Sequence, residues 1–234
     1  MNKSVWGMVI LNLKTIKIPY KITVVVFFFM LVVEQIKLFQ FRTGVDIGNQ
    51  INVSVGTFLW LLIPLAAIFI ASRNFPRMIN LGGKRKHFFI GSFISYAILA
   101  TIISLIGTLI YFLYDRFILD TGMYDGLISL IEICKWDSRG PMIAFLQQFA
   151  FLFMLGILFH TFTLLQSSWG WIVNMVLVIL IAVFVLTTPI RIAFYNILSI
   201  LLFYPNALVQ IVACVALAVV LYAFSYPLLY HENI

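Results

Sequence analysis

Three groups of residues in this chain have the types and spacing to do chemistry. The first is a basic run, Arg73-Asn74-Phe75-Pro76-Arg77-Met78-Ile79-Asn80-Leu81-Gly82-Gly83-Lys84-Arg85-Lys86-His87, in which cations stand beside large apolar side chains. A loop that only sets topology uses its cations, which also attract anionic lipid, and has no need of an apolar face. The other reading is docking on a second protein through Phe75, Met78, Ile79 and Leu81, with Arg77 beside them. The second group is Glu34, the one acid inside or near an apolar run, with Lys37 one turn on. A carboxylate at a bilayer centre costs about 2.5–3.5 kcal/mol, and less near the interface. Glu34 therefore either pairs with Lys37 at a membrane boundary or lies on a substrate path. The third group is a stripe at roughly helical spacing, Gln148, Gly156, His160, Thr163 and Gln166. It reads either as helix packing, with interhelical hydrogen bonds of about 0.6 kcal/mol each, or as the polar lining of a cavity between two subunits.

Other chemistries lack their parts. Gly82-Gly83-Lys84 has neither the upstream glycine nor the Ser/Thr of a phosphate-binding loop, so if ATP drives this protein, another chain binds it and its Mg²⁺. His160 has no second His, Cys or acid near it in sequence, and Cys134 and Cys214 have no ligand spacing, so no metal or cofactor is expected here. The spans contain no Ser–His or Ser–Lys pair and no His-Glu-x-x-His for intramembrane proteolysis. No catalytic residue is assigned.

The elements that must position these groups are apolar. With 63% hydrophobic and 10% charged residues, the composition is that of an integral membrane protein with no soluble domain. A span needs about 20 apolar residues to cross about 30 Å of hydrocarbon. Six all-α spans are expected, at about 20–40, 55–72, 88–114, 141–165, 171–188 and 207–229, the second kinked at Pro64. Residues 4–17 place Trp6, Val9, Ile10, Leu13 and Ile16 at helical spacing, which predicts an amphipathic helix lying in the interface. Pro19 then turns the chain into the bilayer, and with no small-residue cleavage site the first span is expected to remain as an anchor. Residues 74–83 read as a short separate helix, capped by Asn74, with Pro76 in its first turn and Gly82-Gly83 at its end. Residues 190–204 are apolar but short and bracketed by Pro189 and Pro205, so they read as an outer re-entrant segment. Were they to cross, the spans would number seven.

Charge supplies the orientation. Of the basic residues, Lys3, Lys14, Lys17, Lys21, Arg73, Arg77, Lys84, Arg85 and Lys86 fall on one side of this layout. The acids Glu34, Asp46, Asp115, Asp120, Asp125, Glu132 and Asp137 fall on the other. By the positive-inside rule both termini are cytoplasmic. The net charge of +7 is therefore topological, and nucleic acid is not an expected partner; the lipid bilayer is.

This order of elements resembles that of the ABC-2 type transporter permeases, the six-helix membrane subunits of ATP-driven exporters. The local match is Asn80-Leu81-Gly82-Gly83-Lys84-Arg85-Lys86-His87-Phe88-Phe89-Ile90-Gly91, similar to that family's passage of glycine, small residue, arginine, lysine, aromatic and glycine into the third helix. Lys84 stands where a small polar residue is commoner. The small permeases for peptide export, toxin export and bacteriocin self-protection are closest in size. The resemblance implies a multi-pass protein of a bacterial cell membrane with no catalytic site of its own. It implies two partners: an ABC ATPase subunit docked on a coupling helix at 74–83, and a second permease subunit, identical or not. It also implies a substrate path for an amphipathic or hydrophobic substrate, with residues 190–204 over its outer mouth, and Glu34, Gln148, His160 and Thr163 are the candidates to line that path. The alternative function is a non-transporting membrane protein that confers immunity or anchors a partner.

Overall fold

The computed structural model describes residues 3–43, 51–120 and 126–231; Asp46, Gly48 and Asn49 of the expected loop, Asp125 and Glu232 lie outside the described residues. The elements in chain order are α1 (Lys3–Thr15), α2 (Lys17–Arg42), β1 (Ile51–Val53), α3 (Leu62–Phe69), α4 (Phe75–Asn80), α5 (Arg85–Ile110), α6 (Arg116–Asp120), β2 (Gly126–Ile128), α7 (Leu130–Ile133), α8 (Pro141–Leu186), α9 (Thr188–Leu198) and α10 (Ala207–His231). The chain is overwhelmingly helical, the geometry that satisfies every backbone group of an apolar segment internally. Among the described residues, five continuous helical runs are long and apolar enough to cross a membrane: Lys17–Arg42, Val55–Asn80, Arg85–Asp120, Pro141–Leu186 and Ala207–Leu229. Strands β1 and β2 pair in parallel over three residues each, from Ile51 opposite Gly126 to Val53 opposite Ile128.

Side-chain pairs fix the direction of each run. Tyr96 meets His160 and Thr108 meets Gln148, so α5 and α8 are antiparallel. Gln147 meets Gln210 and Thr161 meets Leu221, so α8 and α10 are parallel. Gln35 meets Tyr114, which places the end of α2 beside the end of the α5 run. One end of the bundle therefore gathers the start of α1, the turn between α4 and α5, Trp169 and the end of α10; we call it the basic end. The acidic end gathers Asp115, Glu132, Asp137 and the starts of α8 and α10.

Three elements differ from the sequence expectation. Helix α1 does not stand apart as a surface helix: Val5, Val9, Asn12 and Ile16 bury one face against the first turns of α5. Gly91 permits that approach, since a Cβ there would lie 2.7 Å from Met8 Cβ. The opposite face, Trp6, Ile10 and Leu13, is exposed, so the helix is apolar on two sides. At Pro19 no sharp turn occurs. Backbone bonds Ile16 N–H to Asn12 O and Tyr20 N–H to Ile16 O carry α1 into α2, and Pro19 sits in the first turn of α2, where its missing N–H costs little.

The second difference is at residues 74–83. Within them α4 is not set apart from the helix before it: Val55–Asn80 runs through a 3₁₀ stretch, α3, a π turn at Ile70–Asn74 and α4 as one unit. Pro64 falls near the 3₁₀-to-α change. Pro76 cannot donate to the carbonyl four residues back, and the wider π turn lies immediately before it. Asn74 makes no side-chain cap, because its amide is occupied inside the bundle.

The third is α8. Its 46 residues make it about 69 Å long as a straight helix, more than twice a bilayer core. Non-helical torsions at Trp169 break it, and burial ends at Leu164, so only the first part joins the core. Leu202 accepts a hydrogen bond from the indole of Trp136 at the acidic end, so residues 170–203 carry the chain back from the basic end. Within that return, Thr188–Phe203 is an apolar helix shorter than a span.

Candidate docking turn and buried polar groups

The turn between α4 and α5 is closed by two glycines. Gly82, at φ 71°, gives its N–H to Ile79 O, and Gly83 gives its N–H to Met78 O at 2.9 Å. This is the Schellman arrangement, and only a residue tolerant of the left-handed region fits its centre. The five side chains singled out for docking divide sharply. Phe75 and Met78 are buried in the chain's own core, Phe75 with its ring 5.2 Å from that of Phe88. Ile79 is half-buried against the same core. Arg77 and Leu81 face outward, Leu81 with 83% of its surface exposed. The cations divide too. Arg73 lies 4.9 Å from the Phe69 ring centroid, and Arg85 donates to Leu229 O at the end of α10. Arg77, Lys84 and Lys86 are exposed around Leu81. Phe75 and Met78 thus anchor the turn, and the outward face is Arg77, Leu81, Lys84 and Lys86.

The four residues named for a substrate path do not converge. Glu34 is buried on α2 at the acidic end, where its neighbours Gln35 and Leu38 meet Tyr114 and the Ile118 cluster. Gln148 lies deep between three helices. In the amide orientation that satisfies both its ends, it donates to Ser104 O and Thr108 Oγ1 and accepts from Trp60 Nε1 at 2.8 Å. Gly107 makes room, since a Cβ there would be 2.7 Å from the end of the Gln148 amide. His160 shares a 2.8 Å hydrogen bond between Nδ1 and the Tyr96 hydroxyl, and its ring lies among those of Phe88, Tyr96 and Tyr222. Thr163 bonds only to Phe159 O, one turn back in its own helix, and it is Thr161 that reaches α10 through Leu221 O. Gln148 and His160 are therefore packing residues inside one chain.

Sequence reasoning missed the largest polar cluster. Asn12 donates to Ser95 Oγ at 3.2 Å, Asn74 donates to Asn12 Oδ1 at 2.8 Å, and Thr15 donates to Asn74 Oδ1 at 2.8 Å. These bonds tie α1, the π turn and α5 together just inside the basic end. The signal was present: Asn12 continues the Val5, Val9, Ile16 face, where an amide must find a partner. A second pair, Gln147 to Gln210 at 2.6 Å, joins α8 to α10 near the acidic end. Beyond it, burial pushes the Cys134 thiol up to about 12, so the side chain stays protonated and packs as a small apolar group. Among the described residues no three His, Cys, Asp or Glu side chains gather as a metal site. No protein-family model, curated protein or solved structure matches this chain.

Proposed function

We propose that the chain is the membrane permease subunit of an ABC exporter, crossing six times with both termini cytoplasmic. In this reading residues 170–203 complete a fifth pass, with Thr188–Phe203 as an outer segment that does not cross separately. The helix directions support an even number of passes, since α1 starts and α10 ends at the basic end. The observation that carries the proposal is the turn at 77–86. It is rigidly closed, joined to two long apolar helices, anchored inward by Phe75 and Met78, and cationic outward around Leu81. A push on such a turn moves α3 and α5 as one body, which is what a separate ATPase subunit, holding the ATP and Mg²⁺, would require. Because the core of one chain is closed, a path for an amphipathic or hydrophobic peptide, toxin or lipid-like substrate lies between two permease subunits.

The test is co-purification of an ABC ATPase subunit with this chain from membranes. Leu81→Asp with Arg77→Glu should leave the permease folded and inserted yet strip off the ATPase by at least tenfold. Full retention of ATPase and transport by that variant would reduce the turn to a topogenic loop. Single cysteines at positions 80 and 138 of a cysteine-free variant should label from opposite sides of the membrane; labelling of both from outside would refute the topology. A stable chain with no ATPase bound in any membrane extract would favour the anchoring or immunity reading.

A further inference from the structure

A cavity of about 390 Å³ opens at the acidic end, between the α7–α8 connection and the segment that leads into α10. Lys135 and Arg139 line it, as do Trp136, Phe203 and Tyr204; Asp137, which lies between the two cations in sequence, does not. Neither Lys135 nor Arg139 forms an ion pair among the described residues. At the inner end of the cavity stands Gln147, which is 1% exposed. Its amide nitrogen donates to Gln210, but its Oε1 has no hydrogen-bond partner. A buried acceptor without a donor is costly, and in a lined cavity it marks a place for a donor from outside the chain.

The position of the cavity narrows the ligand. It lies where α8 and α10, two of the five helices apolar enough to span, begin. That is the level at which hydrocarbon gives way to headgroups. The cavity thus offers two cations, one buried acceptor and aromatic walls at headgroup depth. Arginine pairs with phosphate through a planar fork, and lysine adds a point charge. A free phosphate would satisfy the cations but leave the aromatic wall unused.

We infer that this cavity binds the headgroup of an anionic glycerophospholipid. Its phosphodiester sits on Lys135 and Arg139, a headgroup hydroxyl donates to Gln147 Oε1, and the glycerol end lies along Phe203 and Tyr204. The inference rests on the membrane reading and not on transport, so it survives or fails whether or not an ATPase is found.

Native mass spectrometry of the full chain, released from detergent with phosphatidylglycerol or phosphatidylcholine, tests it. One phosphatidylglycerol per chain should be retained, at least tenfold more tightly than phosphatidylcholine. Lys135→Gly with Arg139→Gln should remove that preference. Lys135 has a left-handed φ of 54°, which glycine adopts without strain, so loss of binding in this variant is not loss of folding. Lys135→Arg, which keeps the charge, should retain the preference. Equal retention of both lipids, or unchanged phosphatidylglycerol binding in the double variant, overturns the site. Displacement of the lipid by millimolar inorganic phosphate overturns the lipid assignment and makes the cavity a soluble-phosphate site.

Discussion

The two parts of α8 have similar apolar composition and opposite surroundings. From Ala144 to Leu164 the helix is in the core, with buried residues at nearly every turn. From residue 165 to residue 200, through the rest of α8 and all of α9, no residue is buried. The difference lies in the small and polar residues. The first part has Gln147, Gln148, Gly156, His160 and Thr161, each of which meets another helix. In the second part, Asn174 reaches only Gln166 across the Trp169 break. Lipid tails are as apolar as leucine, so hydrophobicity alone draws no helix toward another; close packing and hydrogen bonds do.

The sharpest way to break this comparison is within one turn of α4. Met78→Asp puts an unpaired charge into the core and should cost about 3–5 kcal/mol, giving no folded chain in detergent. Leu81→Asp, three residues on and exposed, should change stability by less than about 0.5 kcal/mol. Comparable melting of the two variants in size-exclusion and thermal assays would mean that the turn is not anchored as described. Next in size, Gly91→Leu should separate α1 from α5, a loss of about 1–3 kcal/mol from overpacking, read as early protease cleavage near residue 16. Unchanged cleavage would detach α1 from the core.

A smaller effect is expected from Asn74→Leu, which takes the donor from the buried Asn12 Oδ1. A loss of about 1–2 kcal/mol should appear in thermal melts, and a double-mutant cycle with Asn12→Leu should show coupling near 1 kcal/mol. Additive effects would deny the cluster its role. The smallest belongs to the second part of α8. Ile179→Ala should cost under about 0.5 kcal/mol in the isolated chain. A loss beyond about 1.5 kcal/mol, or one that depends on protein concentration, would mean that the exposed part is covered by a second copy.

The apolar runs and their helical state were legible from the residues themselves, although several helices run past the ends expected of them. An apolar segment in lipid has no alternative to an internally bonded backbone, and Gly82-Gly83 and Gly140-Pro141 punctuate the helices by local torsional preference. The face that each helix presents was not legible in the same way. In water an apolar face is a buried face, but in a membrane lipid accepts it equally, so Phe75 and Leu81 could not be told apart by hydropathy although one is core and the other surface. The same ambiguity made the helix that carries Asn12 look interfacial and made Asn74 look like a cap. Each amide is satisfied only by residues some sixty to eighty positions away, and that meeting depends on the approach of α1 over Gly91. Composition and local pattern determined which segments are helical. Tertiary packing alone decided which polar groups meet, because hydrogen-bond partners distant in sequence leave no local trace.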